Sequence, residues 1–324
     1  MRPKFSIIAD QTDITALVQA RLLALTINDE IGIVSDTATI ELDDRDSAFE
    51  IPACGATLTI SMGLDSDIYP LGQFVVDEVE LKAPPQKLTI TARAANSIMN
   101  DMGAFQSPQT KSWEKQTLPD MLQEIAGKYG LQSAVADTFA GIVVDHIDQT
   151  CESDCAFVQR IANEYGGAIK IAGGKLMLID PYTGQFPDGT PVPTITVKEI
   201  SNYTLRITER NKYGKVIAKY YDFDAAEEKE VSVGNESPVF TFRETFSTQA
   251  QAESKANAKM ADIAVGTYEL SIDMPGNAML GAECLIEIRT GHEQIHGVWV
   301  VKTAQHTMSS SGFNTSITAT RPRR

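Results

Sequence analysis

At 324 residues with a formal net charge of −15, the chain is long enough for two or three domains. It is too acidic for a sequence-independent DNA binder, which neutralises phosphates with Lys and Arg. An apolar fraction of 43% with 22% charged residues is that of a globular protein, and no apolar run approaches the roughly 20 residues that span a bilayer, so membrane insertion is not expected. The apolar run at residues 5–9 meets Asp10 too soon for a secretory leader, so assembly in a cytoplasm is expected.

In chain order, residues 5–95 read as strand after strand. Arg21 to Ile27 is one, and Thr37 to Leu42 alternates before the solvated turn Asp43-Asp44-Arg45-Asp46. Pro84-Pro85 breaks the chain before another strand at Lys87. The middle changes period. Thr117 caps a helix with Pro119 and Asp120 in its first turn, Leu118, Leu122, Ile125 and Tyr129 form its stripe, and Gly130 ends it. Ser153 opens a second helix with Phe157, Ile161 and Tyr165 on one face, closed by Gly166-Gly167. Residues 175–179 form a short strand, and Gly173-Gly174 a turn before it. Strands resume near Ile195, and Val216 to Asp222 echoes the strand that ran into Asp43. Thr248 with Gln251 fits a capping box for a third helix, 248–264, carrying Ala252, Ala256, Met260 and Ile263.

A stretch near the start recurs loosely at the end. Gly55-Ala56-Thr57-Leu58-Thr59-Ile60, Gly72-Gln73-Phe74-Val75-Val76 and Thr89-Ile90-Thr91-Ala92 match Gly281-Ala282-Glu283-Cys284-Leu285-Ile286, Gly297-Val298-Trp299-Val300-Val301 and Ser316-Ile317-Thr318-Ala319. Leu88, Ile90, Ala92 and Ala94 alternate with Lys87, Thr89, Thr91 and Arg93, the period of half-buried strands. The expected fold class is mainly β with an α+β insertion: two antiparallel β-barrel domains related by the repeat, at 1–109 and 191–324, around a middle α+β domain at 110–190. Cys54 and Cys284, beside and inside the copies, read as small buried hydrophobes.

Chemistry finds little foothold. His292-Glu293-Gln294-Ile295-His296 matches the zinc-peptidase pattern H-E-x-x-H, which works only on a helix that aims both imidazoles at one metal. Here it is boxed between Gly291 and Gly297 with strands on both sides, at the place of the first copy's hairpin loop, and is read as a hairpin. His146, Cys151 and Cys155 offer three ligands without a fourth or C-x-x-C spacing, and are read as packing. No nucleophile elbow, Cys/His pair or phosphate loop is present, so no catalytic residue, metal or cofactor is expected. A zinc peptidase through His292 and His296, or a cell-wall-binding module in the middle domain, are the alternatives.

The stretch His146-Ile147-Asp148-Gln149-Thr150-Cys151-Glu152-Ser153-Asp154-Cys155-Ala156-Phe157-Val158-Gln159-Arg160-Ile161-Ala162 resembles the H-x-D-Q-T-x-E-S-D-x-x-F-x-x-R-[LI]-A segment of phage late control D proteins. Asp13-Ile14-Thr15, Arg21-Leu22, Ser35-Asp36, Leu71-Gly72-Gln73-Phe74-Val75-Val76-Asp77, Pro84-Pro85, Ser112-Trp113-Glu114, Gly297-Val298-Trp299-Val300-Val301, His306 and Gly312-Phe313-Asn314-Thr315 resemble the family in the same order. These are baseplate hub proteins of contractile-tailed phages and R-type tail bacteriocins, similar to the hub part of type VI secretion spike proteins. The resemblance implies a homotrimer of two barrels per chain, a pseudo-sixfold ring in the virion tail baseplate. The ring would join the tail tube protein to a separate spike protein and meet the tape-measure and other baseplate proteins. It implies no catalytic residue and no sequence-specific nucleic-acid binding, although DNA passes through the lumen. Part of the −15 charge is expected to line that lumen, where acids repel DNA.

Overall fold

In the computed structural model, residues 2–32, 36–47, 49–94, 102–172, 174–208, 213–223 and 225–323 are described; Ser35, Ala95 and Gly173, which figured in the sequence reading, lie outside them. The N-terminal portion holds β1 (Pro3–Ala9), β2 (Thr12–Asp13), α1 (Thr15–Gln19), β3 (Leu22–Glu30), β4 (Thr37–Asp43), β5 (Thr57–Leu64), β6 (Asp67–Lys82) and β7 (Lys87–Ala94). The middle holds α2 (Met102–Phe105), β8 (Pro108–Thr117), α3 (Leu118–Lys128), β9 (Gln132–Val135), α4 (Asp137–Ala140), β10 (Val143–Ser153), α5 (Asp154–Glu164), β11 (Ala168–Ala172) and β12 (Lys175–Ile179). Then come β13 (Thr194–Val197), β14 (Asn202–Ile207), β15 (Lys215–Asp222), β16 (Glu227–Gly234), β17 (Val239–Phe246), α6 (Gln249–Val265), β18 (Tyr268–Pro275), β19 (Leu285–Ile288), β20 (Gly297–Ser309) and β21 (Gly312–Thr320).

Contacts divide the chain into two compact units: residues 1–96, 194–205 and 270–319, and residues 97–193, 206–269 and 320–324. These boundaries cross those read from the repeat, because both ends of the chain contribute to one sheet. Its strand order is β14-β18-β21-β20-β3-β4-β7-β6-β5-β1-β2, and β19 pairs with β20 and carries β13 at its outer side.

The repeat is visible in this order. In the first copy the neighbours run β4-β7-β6-β5-β1, and in the second β18-β21-β20-β19-β13. The last strand breaks the match, since β1 is antiparallel to β5 while β13 is parallel to β19. The structural echo of β4 is thus β18. Val216 to Asp222, read from sequence as that echo, is β15, the centre of a separate sheet with antiparallel β16 and parallel β17. Alternation alone cannot tell one half-buried strand from another.

The alternation sets the core. Ile7, Ile27, Ile40, Leu42, Ile60, Leu88 and Ala92 are buried in one cluster with Leu25, Phe74 and Met308. Their strand neighbours Thr39, Thr59, Thr89 and Thr91 are half-buried on the opposite face. Each fully buried Ile or Leu contributes about 1.5–3 kcal/mol relative to exposure. Cys54 and Cys284 are not core residues as expected: Cys54 is exposed and Cys284 half-buried, because both sit in the turns that precede β5 and β19.

One buried polar cluster ties the loop between β18 and β19 to this sheet. His306 on β20 is 1% exposed, with Nε2 2.9 Å from the Leu280 carbonyl and Nδ1 3.0 Å from Thr315 Oγ1. A carbonyl only accepts, so Nε2–H donates and Nδ1 of the neutral ring accepts the Thr315 hydroxyl. Thr315 Oγ1 in turn accepts from the Asn277 amide at 2.9 Å. Burial holds the His306 pKa below the usual histidine range, against the opposing pull of the Leu280 carbonyl and the Asp29 carboxylate. A depressed histidine leaves the folded state neutral while the unfolded chain protonates near about 6.5, so stability is intact above that pH and falls as pH drops below it. The denaturant midpoint is expected to decline between pH 7 and pH 5, and the decline to shrink in His306→Gln, measured by urea unfolding at each pH.

Candidate functional site

The second unit contains the segment with the most distinctive sequence, residues 146–162, and its geometry shows what that pattern does. β10 pairs with β8 in a two-stranded antiparallel sheet whose register slips between Gln149 and Glu152, where Cys151 has φ +48°. Gln149, the last residue in register before the slip, shares the inward face of Trp113 and is 0% exposed, and the slip then delivers the chain to the start of α5. Ser153 caps α5, its side chain accepting the Ala156 amide at 3.2 Å.

Asp154, also 0% exposed, is the hub of the network. Its Oδ1 accepts from Gln149 Nε2 at 2.9 Å, and its Oδ2 accepts from Tyr129 Oη at 2.8 Å and Lys128 Nζ at 3.1 Å. Gln149 is satisfied from the other side by Trp113 Nε1, 3.3 Å from its Oε1. Burial pushes the Asp154 pKa up, but the bonds from Gln149, Tyr129 and Lys128 outweigh it and hold the carboxyl below the usual range. Trp113 stacks on Phe157 with ring centroids 5.5 Å apart, and Lys111 lies over the indole at 3.5 Å. On the outer side Arg160 grips Glu152 at 2.7 Å and the Asp148 carbonyl at 3.0 Å, while Ser112 donates to Asp148 at 2.6 Å. One carboxylate therefore fastens β10, α5 and the end of α3 together. The arrangement is a structural lock.

The other sequence candidates are separate from this lock. His146 is exposed beside Glu114 and Asp148, Cys151 lies near Thr110, and Cys155 is half-buried with its thiol pKa pushed up by burial. In the H-E-x-x-H segment, residues 293–295 form a single 3-10 turn, and His292 and His296 flank it in extended conformation. Its anchor is Ile295, 1% exposed, whose carbonyl accepts from Trp299 Nε1 at 2.7 Å. The α-helix that would aim both imidazoles at one ion is not formed there. Among the described residues no three His, Cys, Asp or Glu side chains are grouped as metal ligands.

Residues 75–312 match the family model described as phage tail baseplate hub (GPD). The chain belongs to that family. It is 29% identical to the probable baseplate hub protein of Escherichia phage 186, the match covering 98% of this chain and 92% of that one. Its fold is similar to the 43 kDa tail protein of prophage MuSo2 from Shewanella oneidensis, with a TM-score of 0.72, 13% identity and 99% and 98% of the two chains covered. It is also similar to an E. coli component of the type VI secretion system, at a TM-score of 0.57 and 11% identity, over 100% of this chain and 77% of the other.

The signature of this hub chain is thus a packing device, and the missing partner of a buried acid should be costly. Asp154→Ala leaves Gln149, Tyr129 and Lys128 facing an empty position and is expected to cost about 3 kcal/mol in urea unfolding. Because the Asp154 pKa is depressed, its contribution is present above the unfolded carboxyl value near about 3.9 and is lost as pH falls through the folded value. The stability gap between wild type and variant should therefore close in acid.

Proposed function

We propose that the chain acts mechanically and without catalysis, as the homotrimeric hub of a contractile-tail baseplate. The observation that carries this reading is the duplicated neighbour order, β4-β7-β6-β5-β1 and β18-β21-β20-β19-β13. Two equivalent strand sets per chain, repeated by a threefold axis, present six similar faces around a channel. Such a ring can meet a sixfold tail tube on one side and a threefold spike on the other, which a single copy per chain could not do. The division at residues 1–109, 110–190 and 191–324 describes this duplication, with the middle module and α6 outside it.

In this role the spike protein, the tube protein, the tape-measure protein and neighbouring baseplate proteins are the partners, and DNA passes without being read. Acids that face the channel keep the passing polyanion from sticking. The virion tail, or a tail-like particle, is the site of action, after assembly in the host cytoplasm.

Native mass spectrometry of the full chain, alone and with its spike protein, tests the reading. A mass near three times 35.3 kDa is expected. A species that stays at one chain in both samples would sink it.

A further inference from the structure

Two hairpin ends, one in each compact unit, are exposed, apolar and oppositely charged. The β15–β16 hairpin ends in Tyr221 and Phe223, which are 40% and 76% exposed and meet edge to face at 5.1 Å. Beside them Asp222 and Glu227 stand directly opposite each other across the ladder, with Lys229 reaching both carboxylates. The β6–β7 hairpin ends beside a groove of about 220 Å³ lined by Phe49, Ile51, Leu81 and Ala83 together with Lys82, Lys87 and the buried Asp44. Ile51 and Leu81 are each 56% exposed, and Lys82 stands directly opposite Lys87. Lys87 reaches Glu41 at 2.7 Å, and Lys82 forms no ion pair among the described residues.

Like charges facing each other across a ladder cost stability, and exposed aromatic and aliphatic side chains add to the cost in water. Lys229 faces two carboxylates at the β15–β16 end, and among the described residues Lys82 is a cation without an ion pair at the β6–β7 end. We propose that the Tyr221–Phe223 end of one chain seats in the Ile51–Leu81 groove of a second copy, with Asp222 and Glu227 against Lys82 and Lys87. The contact is heterologous, because two different patches meet, and with a threefold rotation between neighbours its repetition closes a ring. An aromatic anchor in an apolar pocket with a charged rim is also how protein contacts concentrate their energy. This inference rests on the multimeric reading above and adds the side chains that join neighbouring chains.

The test assembles 15N-labelled and unlabelled full-length chain together and cross-links the mixture with a carbodiimide, which joins a carboxylate to an amine without a spacer. Mass spectrometry should find Asp222 or Glu227 joined to Lys82 or Lys87 in peptides of mixed isotope, which only two different chains can give. Lys82→Glu and Glu227→Lys should each weaken self-association roughly tenfold or more, and the double variant should restore it. Recovery in the double variant rules out misfolding as the cause. A trimer without these cross-links, holding at full strength in Lys82→Glu, overturns the contact and leaves the trimeric hub standing. A chain that never associates overturns both.

Discussion

The pairing of β3 with β20 is the constraint on which the first unit depends. Residues 24–30 run antiparallel to residues 303–309, with Thr26 opposite Thr307 and Ile27 opposite His306. Without that ladder the two copies of the repeat would each present a raw strand edge to water, and edges invite unwanted pairing. With it, Met308 and Phe313 from the second copy enter the same apolar cluster as Ile7, Ile40 and Ile60 from the first. The side-chain period is two, so a one-residue slip of β20 against β3 would turn Met308 outward and put Thr307 or Ser309 in the core. Register here is fixed by the core, not by a turn, because no short loop connects these strands. The same fact makes the unit slow to form in principle, since its central contact joins the two ends of the chain.

The polar networks work in the opposite sense to the apolar core. Asp154 and His306 are both buried and both fully matched, one as a carboxylate accepting from three donors and the other as a neutral ring with one donor and one acceptor. Neither gains much net energy over an apolar replacement, but each has few geometries that satisfy it. They pin irregular chain, namely the slipped end of β10 and the loop before β19, where no ladder does the job. A charged group and a neutral one serve the same end because burial is answered differently. Three donors around Asp154 favour its charge, whereas burial keeps His306 neutral against the pull of the Leu280 carbonyl.

Much of this was legible in the residues. Thr117, Ser153 and Thr248 cap α3, α5 and α6 as their positions suggested, each accepting an amide three residues on. The capping box at α6 differs in one detail: Gln251 bonds back to the Ser247 amide, one residue beyond the cap. Residues 175–179 form the strand expected, and the apolar alternation in β7 maps onto the core. What could not be read were partnerships across long separations. Nothing in residues 194–197 says that β13 lies parallel to β19, and nothing marks β3 as the bridge between copies. At the candidate site the limit was similar. Gln149 and Asp154 carry polar side chains in a polar run, and their burial follows only from Trp113 and Tyr129, which lie 36 and 25 residues away in sequence. Cys151 gave no sign of the left-handed backbone that the strand slip demands.

The imperfection of the repeat carries a physical lesson of its own. The proposed pseudo-sixfold ring would require the two copies to match where they meet a sixfold partner, and would leave them free to differ elsewhere. They keep the four-strand core order, which sets face and curvature, and diverge at the outermost strand, where β1 is antiparallel and β13 parallel. The divergence is tied to chain path. β1 is joined to β3 by a few residues around α1, whereas β13 arrives from the middle module and leaves toward β14, so it enters from the other end. Inserting β15, β16, β17 and α6 between β14 and β18 likewise adds material to one copy without disturbing its strand order. The differences between the copies thus fall outside the shared four-strand order, at the outermost strand and in the segment inserted between β14 and β18.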